Sequence, residues 1–452
     1  MPSIARHIYA AMLSCMTLLL AGCDSTHVDA ARTELDEVYV ALSNGPTPDP
    51  GTAFGPTELL ESAYLRGPDF LQIKLDRTKA RLDLDARKSQ RNPRFLSTLR
   101  QQSTLNRDRA VVSGLEASIA LDWDLATALI YTDKETLQIA EDYLPVQAEL
   151  ARLEATGKLL QAYFRHEEAI ISNDQVTMRR TAAQCKRDEA KVEFELGNIS
   201  KLAFNELAQV SASLVQQSKF AKRNIASSRR DLLYLAGVAD SAKIRSGRDP
   251  SASLPALPKP LTRNLCYTRS GNALRDGLLL KGAQGALRVA RLQRFGSFDI
   301  QLPTAISPGT GLNLNTLVSV LIPIVDQNDG QRRVQRAREA LLAIALASER
   351  NQRSFDVRLS QLEFAQAQAA TRLSEARSAA SKVKDTASQT CQAKAETSET
   401  QLALRRARLE LQKVQSGLAL LCAQTDANLT RALDPALALQ TAAPDFKQGL
   451  FK

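Results

Sequence analysis

The sequence has little of what catalysis and metal binding use. It holds three histidines in 452 residues, and its six cysteines form no C-x-x-C pair. Both facts argue against histidine-based metal, zinc and thioredoxin-type sites. Aromatic residues make up only 5%, which favours a helix-rich chain over a large globular core. The surplus of 59 Lys and Arg over 49 Asp and Glu is typical of chains that bind nucleic acid, an anionic membrane or an acidic partner.

Catalytic motifs are also missing. The chain has no G-x-S-x-G elbow, no phosphate-binding G-x-x-x-x-G-K-[ST] loop and no H-E-x-x-H helix. His166-Glu167-Glu168 lacks the second histidine of that last motif. We therefore expect no enzyme activity, no metal and no cofactor.

The N-terminus predicts export. Arg6 precedes an apolar stretch at residues 8–20, and Leu20-Ala21-Gly22-Cys23 is typical of a lipobox, in which the Cys23 thiol takes a diacylglycerol. Residues 1–22 are thus a predicted lipoprotein signal peptide, and nucleic acid is excluded as a partner. Asp24 resembles an inner-membrane retention signal, so its effect on sorting stays open. After Cys23 no apolar run is long enough to span a bilayer as a helix.

Long segments without helix breakers follow. Residues 331–416 and 198–236 contain neither proline nor glycine, while 124–196 are interrupted only by Pro145 and Gly157. A helix from 125 to 196 would be about 108 Å long, which predicts an elongated rod.

Other segments alternate with the period of two that a strand with one apolar face shows. Residues 114–122 and 297–302 alternate most clearly, 95–102 and 312–322 less so, and 103–113 and 303–311 carry turn residues. The apolar positions are Leu115, Ala117, Ile119, Leu121, Phe298, Ile300 and Leu302. In a membrane barrel these positions would face lipid, but a soluble amphipathic sheet has the same pattern.

The chain also repeats itself. Asp124 and Asp326 end the two strand pairs, 202 residues apart, and Glu206-Leu207 reappears as Glu410-Leu411, 204 residues apart. The predicted organisation has six parts: a signal peptide (1–22), a lipidated segment (23–56), a first repeat (57–245), a Pro/Ser-rich linker (246–262), a second repeat (263–434) and a tail (435–452).

Several motifs together resemble the TolC-type outer-membrane efflux proteins. They are Leu317-Val-Ser-Val-Leu-Ile-Pro-Ile-Val-Asp326 with Gly330-Gln-Arg-Arg333, Leu121-Asp-Trp-Asp124, Asn92-Pro93, Phe194-x-x-Gly197 and Ala208-Gln209. The second repeat departs from the pattern, with Cys391-x-x-Lys394 where an aromatic residue and a glycine are usual.

The resemblance implies a mainly α fold with a small β part: a long helical coiled-coil tunnel and a β-barrel shared between subunits, with four strands per chain. It implies a homotrimer in the outer membrane, lipid-anchored and extending into the periplasm. Its function would be passive efflux of small molecules such as drugs or metals, with a periplasmic adaptor and an inner-membrane transporter as partners. A type I protein-secretion duct uses the same fold, and a coiled-coil structural lipoprotein without a pore is a further alternative.

The resemblance also marks candidate sites. The first hairpin tip, with Phe194, Gly197, Asn198 and Ser200, would contact the adaptor. Acidic residues near the two tips are candidates for a periplasmic gate: Glu195, Glu396 and Glu399. No disulfide is assigned. Cys185, Cys266, Cys391 and Cys422 could form disulfides in the periplasm, but Cys185, Cys391 and Cys422 lie in helical stretches, where buried free thiols are the commoner role.

Replacing Cys23 by serine tests the lipobox. The variant should lose metabolic labelling with a fatty acid, because a hydroxyl does not form the thioether that carries the diacylglycerol. Labelling that persists in Cys23→Ser would contradict the assignment.

Overall fold

Long helices dominate the described part of the chain. This computed structural model describes residues 26–45, 53–89, 94–106, 109–124, 134–245, 266–293, 297–307, 311–314, 317–321, 329–384 and 391–423. The predicted signal peptide with Cys23, the linker at 246–262 and the tail at 435–452 lie outside these residues.

The elements follow the predicted order of helices, strands and long helical hairpins, twice over. In chain order they are α1 (Thr26–Ser43), α2 (Pro56–Arg66), α3 (Pro68–Ser89), β1 (Arg94–Asn106), β2 (Arg109–Asp124), α4 (Lys134–Glu195), α5 (Lys201–Ala236), α6 (Gly271–Gln293), β3 (Ser297–Ser307), β4 (Gly311–Leu314), β5 (Leu317–Leu321), α7 (Asp329–Lys384) and α8 (Cys391–Leu421). None of the described helices combines the length and apolar character needed to cross a membrane.

The chain divides into two compact units. One contains the sheet and the helix ends next to it, within residues 1–43, 74–144 and 284–339. The other contains both long hairpins, within residues 44–73, 145–283 and 340–452.

The strands form one antiparallel sheet in the order β1-β2-β3, and β4 and β5 both pair with β3. Leu121 is opposite Phe95 on one side and Leu302 on the other, while Ile300 is opposite Val318. Directly opposed residues share a face. The register therefore places the two predicted apolar sets, on β2 and β3, on one face of the sheet.

The strands are longer than predicted. The turn residues at 103–113 and 303–311 predicted connectors there, yet β1 runs to Asn106, β2 starts at Arg109 and β3 runs to Ser307. Only the two or three residues of a β-hairpin that reverse the chain direction are unpaired. The hydrogen bonds between the two strands continue up to those residues, so a cluster of turn-forming residues overestimates the length of the connector. The last predicted strand, 312–322, is instead two short strands, so the sheet has five strands rather than four.

The motif that departs from the family pattern in the second hairpin lies on a helix. Cys391 and Lys394 are in the first turn of α8, which begins at Cys391, while α7 ends at Lys384. Residues 385–390, between these two helices, lie outside the described residues.

The helices also correct the repeat. α5 and α8 end at Ala236 and Leu421, 185 residues apart, whereas the long first helices begin 195 residues apart at Lys134 and Asp329. The spacing shrinks along the hairpin because α7 and α8 have 56 and 31 residues, against 62 and 36 in α4 and α5. The expected equivalence of Glu206 with Glu410 is therefore wrong, although the repeated order of elements is real.

The hairpin base of the first repeat is held by close backbone contact. Gly237 follows α5 with a φ of 64°, and a Cβ there would stand 2.5 Å from the Arg66 carbonyl at the end of α2. A glycine is required both for the left-handed turn and for that approach. Large apolar side chains from α2, α4 and α5 close over this junction: Leu59, Leu159, Phe164, Leu232 and Leu233.

Ion pairs connect the two hairpins along α4 and α8. The Arg405 guanidinium donates to Glu167 at 2.9 Å and to Asp174 at 3.2 Å, and Glu167 is only 1% exposed. Lys413 donates to Glu168 at 2.8 Å in a more exposed pair. Leu409, between them on α8, belongs to the first-repeat core. Removing Arg405 would break an ion pair to a carboxylate that is 1% exposed, and breaking a buried pair in this way costs about 3–5 kcal/mol.

A disulfide closes the second repeat. Cys266 and Cys422 are bonded and fully buried, and they pack with Phe355, Leu359 and Leu418. Cys185 on α4 is disulfide-bonded as well. The expectation of free thiols is therefore wrong for Cys185 and Cys422. A position in a helical stretch did not predict the state of the thiol, because the end of α8 brings Cys422 next to Cys266, 156 positions away in sequence.

The double variant Cys266→Ser, Cys422→Ser tests this cross-link. The chain-entropy estimate for closing a loop of 156 residues is about 4–5 kcal/mol, so the urea midpoint of unfolding in detergent should fall clearly. The difference from the parent protein should shrink when both are measured under a reductant. An unchanged midpoint under oxidising conditions would contradict a stabilising role.

Candidate functional site

The tip of the first hairpin is a tight turn between α4 and α5. The Gly197 N–H donates to the Phe194 carbonyl at 3.0 Å, and the Asn198 N–H donates to the Glu193 carbonyl at 2.8 Å. These two bonds define a Schellman motif, which needs a left-handed residue after the helix. Gly197 supplies it, with a φ of 78°.

Side chains fix both flanks of the turn. The Asn198 amide donates to Glu193 Oε2 at 2.6 Å. Ser200 has extended backbone angles and caps α5, since its Oγ accepts from the Ala203 N–H at 3.2 Å. Asn198 and Ser200, predicted as contact residues, thus also have structural roles that shape the tip.

The tip exposes the predicted Phe194 and two leucines that the sequence analysis did not name. Leu196 and Leu202 are 67% and 71% exposed, and Phe194 is 38% exposed. Phe194 stacks on Phe204 with ring centroids 5.4 Å apart, so an aromatic pair supports this surface from both helices. We call Phe194, Leu196 and Leu202 the tip patch. In the sequence, this surface is indicated by the two leucines on either side of the polar turn.

Space around Gly197 is open. A Cβ placed on this glycine meets no described atom within 4 Å, in contrast to the crowded Gly237. A larger side chain at position 197 therefore costs backbone strain of about 1–2 kcal/mol, but it displaces no neighbour. The position can be altered without disturbing the core.

The predicted gate residues are not brought together by any described contact. Glu195 is the last residue of α4, and its carboxylate lies 3.9 Å from Lys191 Nζ. Glu399 is exposed in the third turn of α8, and the Glu396 side chain lies outside the described residues. Within the part of the chain that the structure describes, no group of His, Cys, Asp and Glu is arranged to hold a metal ion.

Comparison with known proteins gives a match at the level of structure only. No protein-family model matches the chain, and no curated protein does. Solved structures do match. CusC, studied for its folding and transmembrane channel formation, aligns with a TM-score of 0.65 and 14% identity over 82% of this chain and 94% of that chain.

Two further channels align over similar shares. The CmeC outer membrane channel of Campylobacter jejuni has a TM-score of 0.62 and 12% identity, covering 85% of this chain and 88% of its own. The MtrE outer membrane channel of Neisseria gonorrhoeae, in its open state, has a TM-score of 0.59 and 14% identity, covering 81% and 88%. The chain therefore has the fold of the TolC-type outer-membrane efflux channels, as its motifs predicted.

Proposed function

We propose that the chain is a subunit of a passive outer-membrane channel, the exit duct of a tripartite efflux system for small molecules. The observation that carries the proposal is the sheet, which has one apolar face and two edges without a partner strand in the described chain. β1 pairs only with β2, and β4 and β5 pair only with β3.

Unpaired edges favour assembly. Each edge strand presents backbone donors and acceptors that need partners, and an open edge is not tolerated in hydrocarbon. Pairing β1 of one copy with β4 and β5 of the next satisfies both edges with one repeated contact. Three copies close the ring in the resembled family, and we adopt a homotrimer for this chain.

The proposed orientation follows from the two faces. The face that carries Leu121, Leu302 and Ile300 would contact outer-membrane lipid, and the opposite face, with Ser118 and Gln301, would line water. The matched structures are described as outer membrane or transmembrane channels, which supports this location. A lipid on Cys23 would add an anchor beside the start of α1.

The tip patch is the proposed docking point for the periplasmic adaptor, with an inner-membrane transporter behind it. Exposed leucines at the end of a long hairpin have no packing role within the described chain, and burial by a partner would remove their apolar surface from water. The open space around Gly197 lets a partner approach the backbone closely.

The variant Gly197→Trp tests docking. A bulky side chain at the open tip should block the adaptor, while trimers still fold because the site has no neighbours to displace. Efflux and adaptor crosslinking should both be lost. Lys186→Trp, at an exposed site earlier on α4, is the matched control and should behave as the parent. Normal efflux with Gly197→Trp would refute docking at this tip.

We also propose that carboxylates near the tips form the periplasmic gate. Threefold copies of Glu195, Glu396 or Glu399 around an axis would attract cations and raise the barrier for anions. Glu195 lies at a helix C-terminus, where negative charge is unfavourable, so a bound cation would also relieve the helix dipole.

Conductance of single trimers in planar bilayers tests this gate. The parent should form a low-conductance, cation-selective pore that multivalent cations block. The block by multivalent cations should weaken in the double variant Glu396→Gln, Glu399→Gln if the second tip forms the gate, and in Glu195→Gln if the first tip forms it. It should weaken in the triple variant in either case. Glu375→Gln, an exposed site on α7, serves as the control. If the triple variant conducts and blocks as the parent does, these glutamates do not form the gate.

A further inference from the structure

Four helices are connected in the chain to the same end of the sheet. Arg94 opposes Asp122, Asp124 opposes Asp299, and Ser297 opposes Leu321. The start of β1, the end of β2, the start of β3 and the end of β5 are therefore neighbours. Helices α3, α4, α6 and α7 begin or end within ten residues of these strand ends in the sequence, so the chain leads from this one end of the sheet into all four helices.

Basic side chains accumulate at these helix ends. α7 opens with four exposed arginines in its first ten residues: Arg332, Arg333, Arg336 and Arg338. The ends of α3 and α6 add Arg87, Lys88, Arg288 and Arg291, and Lys88 is paired with Glu141 at 3.0 Å. We call the four arginines of α7 the arginine cluster.

The arginine cluster lies at the end of a helix where positive charge is unfavourable. The N-terminal end of a helix carries partial positive charge, so cations there are unfavourable and anions favourable. Asp329 contacts Arg332 at 3.8 Å, with both side chains about 70% exposed, which gives little compensation. An external anion would relieve both the mutual repulsion of the arginines and the helix dipole.

Two arginines of the cluster lie on the side of α7 opposite to its buried stripe. Gly330 and Leu341 are buried and Val334 and Ala337 half-buried, which defines one stripe of α7 facing the protein. At 100° per residue, Arg332 and Arg336 lie on the opposite side of the helix. The carboxylates at this end of the sheet, Asp122, Asp124 and Asp299, lie by register on the polar face of the sheet, opposite to the apolar face.

We propose that the arginine cluster binds the phosphate groups of anionic phospholipids at the inner surface of the outer membrane. The inference rests on the proposed function, because a sheet that spans the membrane places its helix-bearing end at the periplasmic headgroup layer. Guanidinium groups bind phosphate through two parallel hydrogen bonds, and basic residues at a membrane boundary are attracted to anionic lipid. The cluster thereby fixes the depth of the sheet in the bilayer.

Lipid retention by purified trimers tests the proposal. Full-length trimers reconstituted in vesicles of phosphatidylethanolamine with phosphatidylglycerol, then extracted in mild detergent, should retain phosphatidylglycerol selectively. The variant Arg332→Gln, Arg333→Gln, Arg336→Gln, Arg338→Gln should retain it less, by about fivefold for each arginine that contacts a headgroup. Retention should also fall with salt, since exposed charges are screened.

The matched control removes four exposed arginines farther along the same helix: Arg350, Arg353, Arg358 and Arg377. It should retain phosphatidylglycerol as the parent does. Equal retention by the cluster variant and the parent, in trimers that still conduct, would overturn the lipid site and leave the channel proposal intact. A changed anion selectivity with unchanged retention would place the cluster in the lumen and also overturn it. Absence of conducting trimers for the parent in the vesicles of phosphatidylethanolamine with phosphatidylglycerol would overturn the channel proposal itself.

Discussion

Unsatisfied backbone hydrogen bonds at the two edges of the sheet are the constraint on which this molecule depends. Within a long helix every interior amide has a partner four residues away, so the hairpins satisfy their own backbones. The sheet does not, because β1 at one edge and β4 and β5 at the other have no further strand in the described chain. A single copy is therefore incomplete at the sheet, and the proposed assembly follows from that deficit rather than from any site on the helices.

The helical part is held by different means at different levels. At the hairpin base, Gly237 permits backbone contact with α2, and apolar side chains close the junction. Farther along, Arg405 joins α4 to α8 through Glu167 and Asp174. At the tip, contacts are local: a Schellman turn, a serine cap and one aromatic pair. The contacts at the tip are thus local to the first hairpin, and apolar side chains stay exposed there.

Local patterns predicted most of the elements and part of the site. The period of two at 114–122 and 297–302 gave β2 and β3, and breaker-free stretches gave the long helices, because both signals arise from each residue's own preferences. Phe194 and Gly197 located the first tip for the same reason. The second tip could not be located in the same way, because Cys391 and Lys394 stand where the motif has an aromatic residue and a glycine. The exposure of Leu196 and Leu202 required knowing which side of each helix is covered.

The sequence by itself determined the helix-rich composition, the order of elements in both repeats and the first tip, because these depend on residues close together in the chain. Only the tertiary structure decided the pairing of Cys266 with Cys422, the bridge from Arg405 to Glu167, and the common face of the β2 and β3 apolar sets. Each of these joins residues more than 150 positions apart. No local preference encodes such contacts, since they arise only when the hairpins and strands pack together.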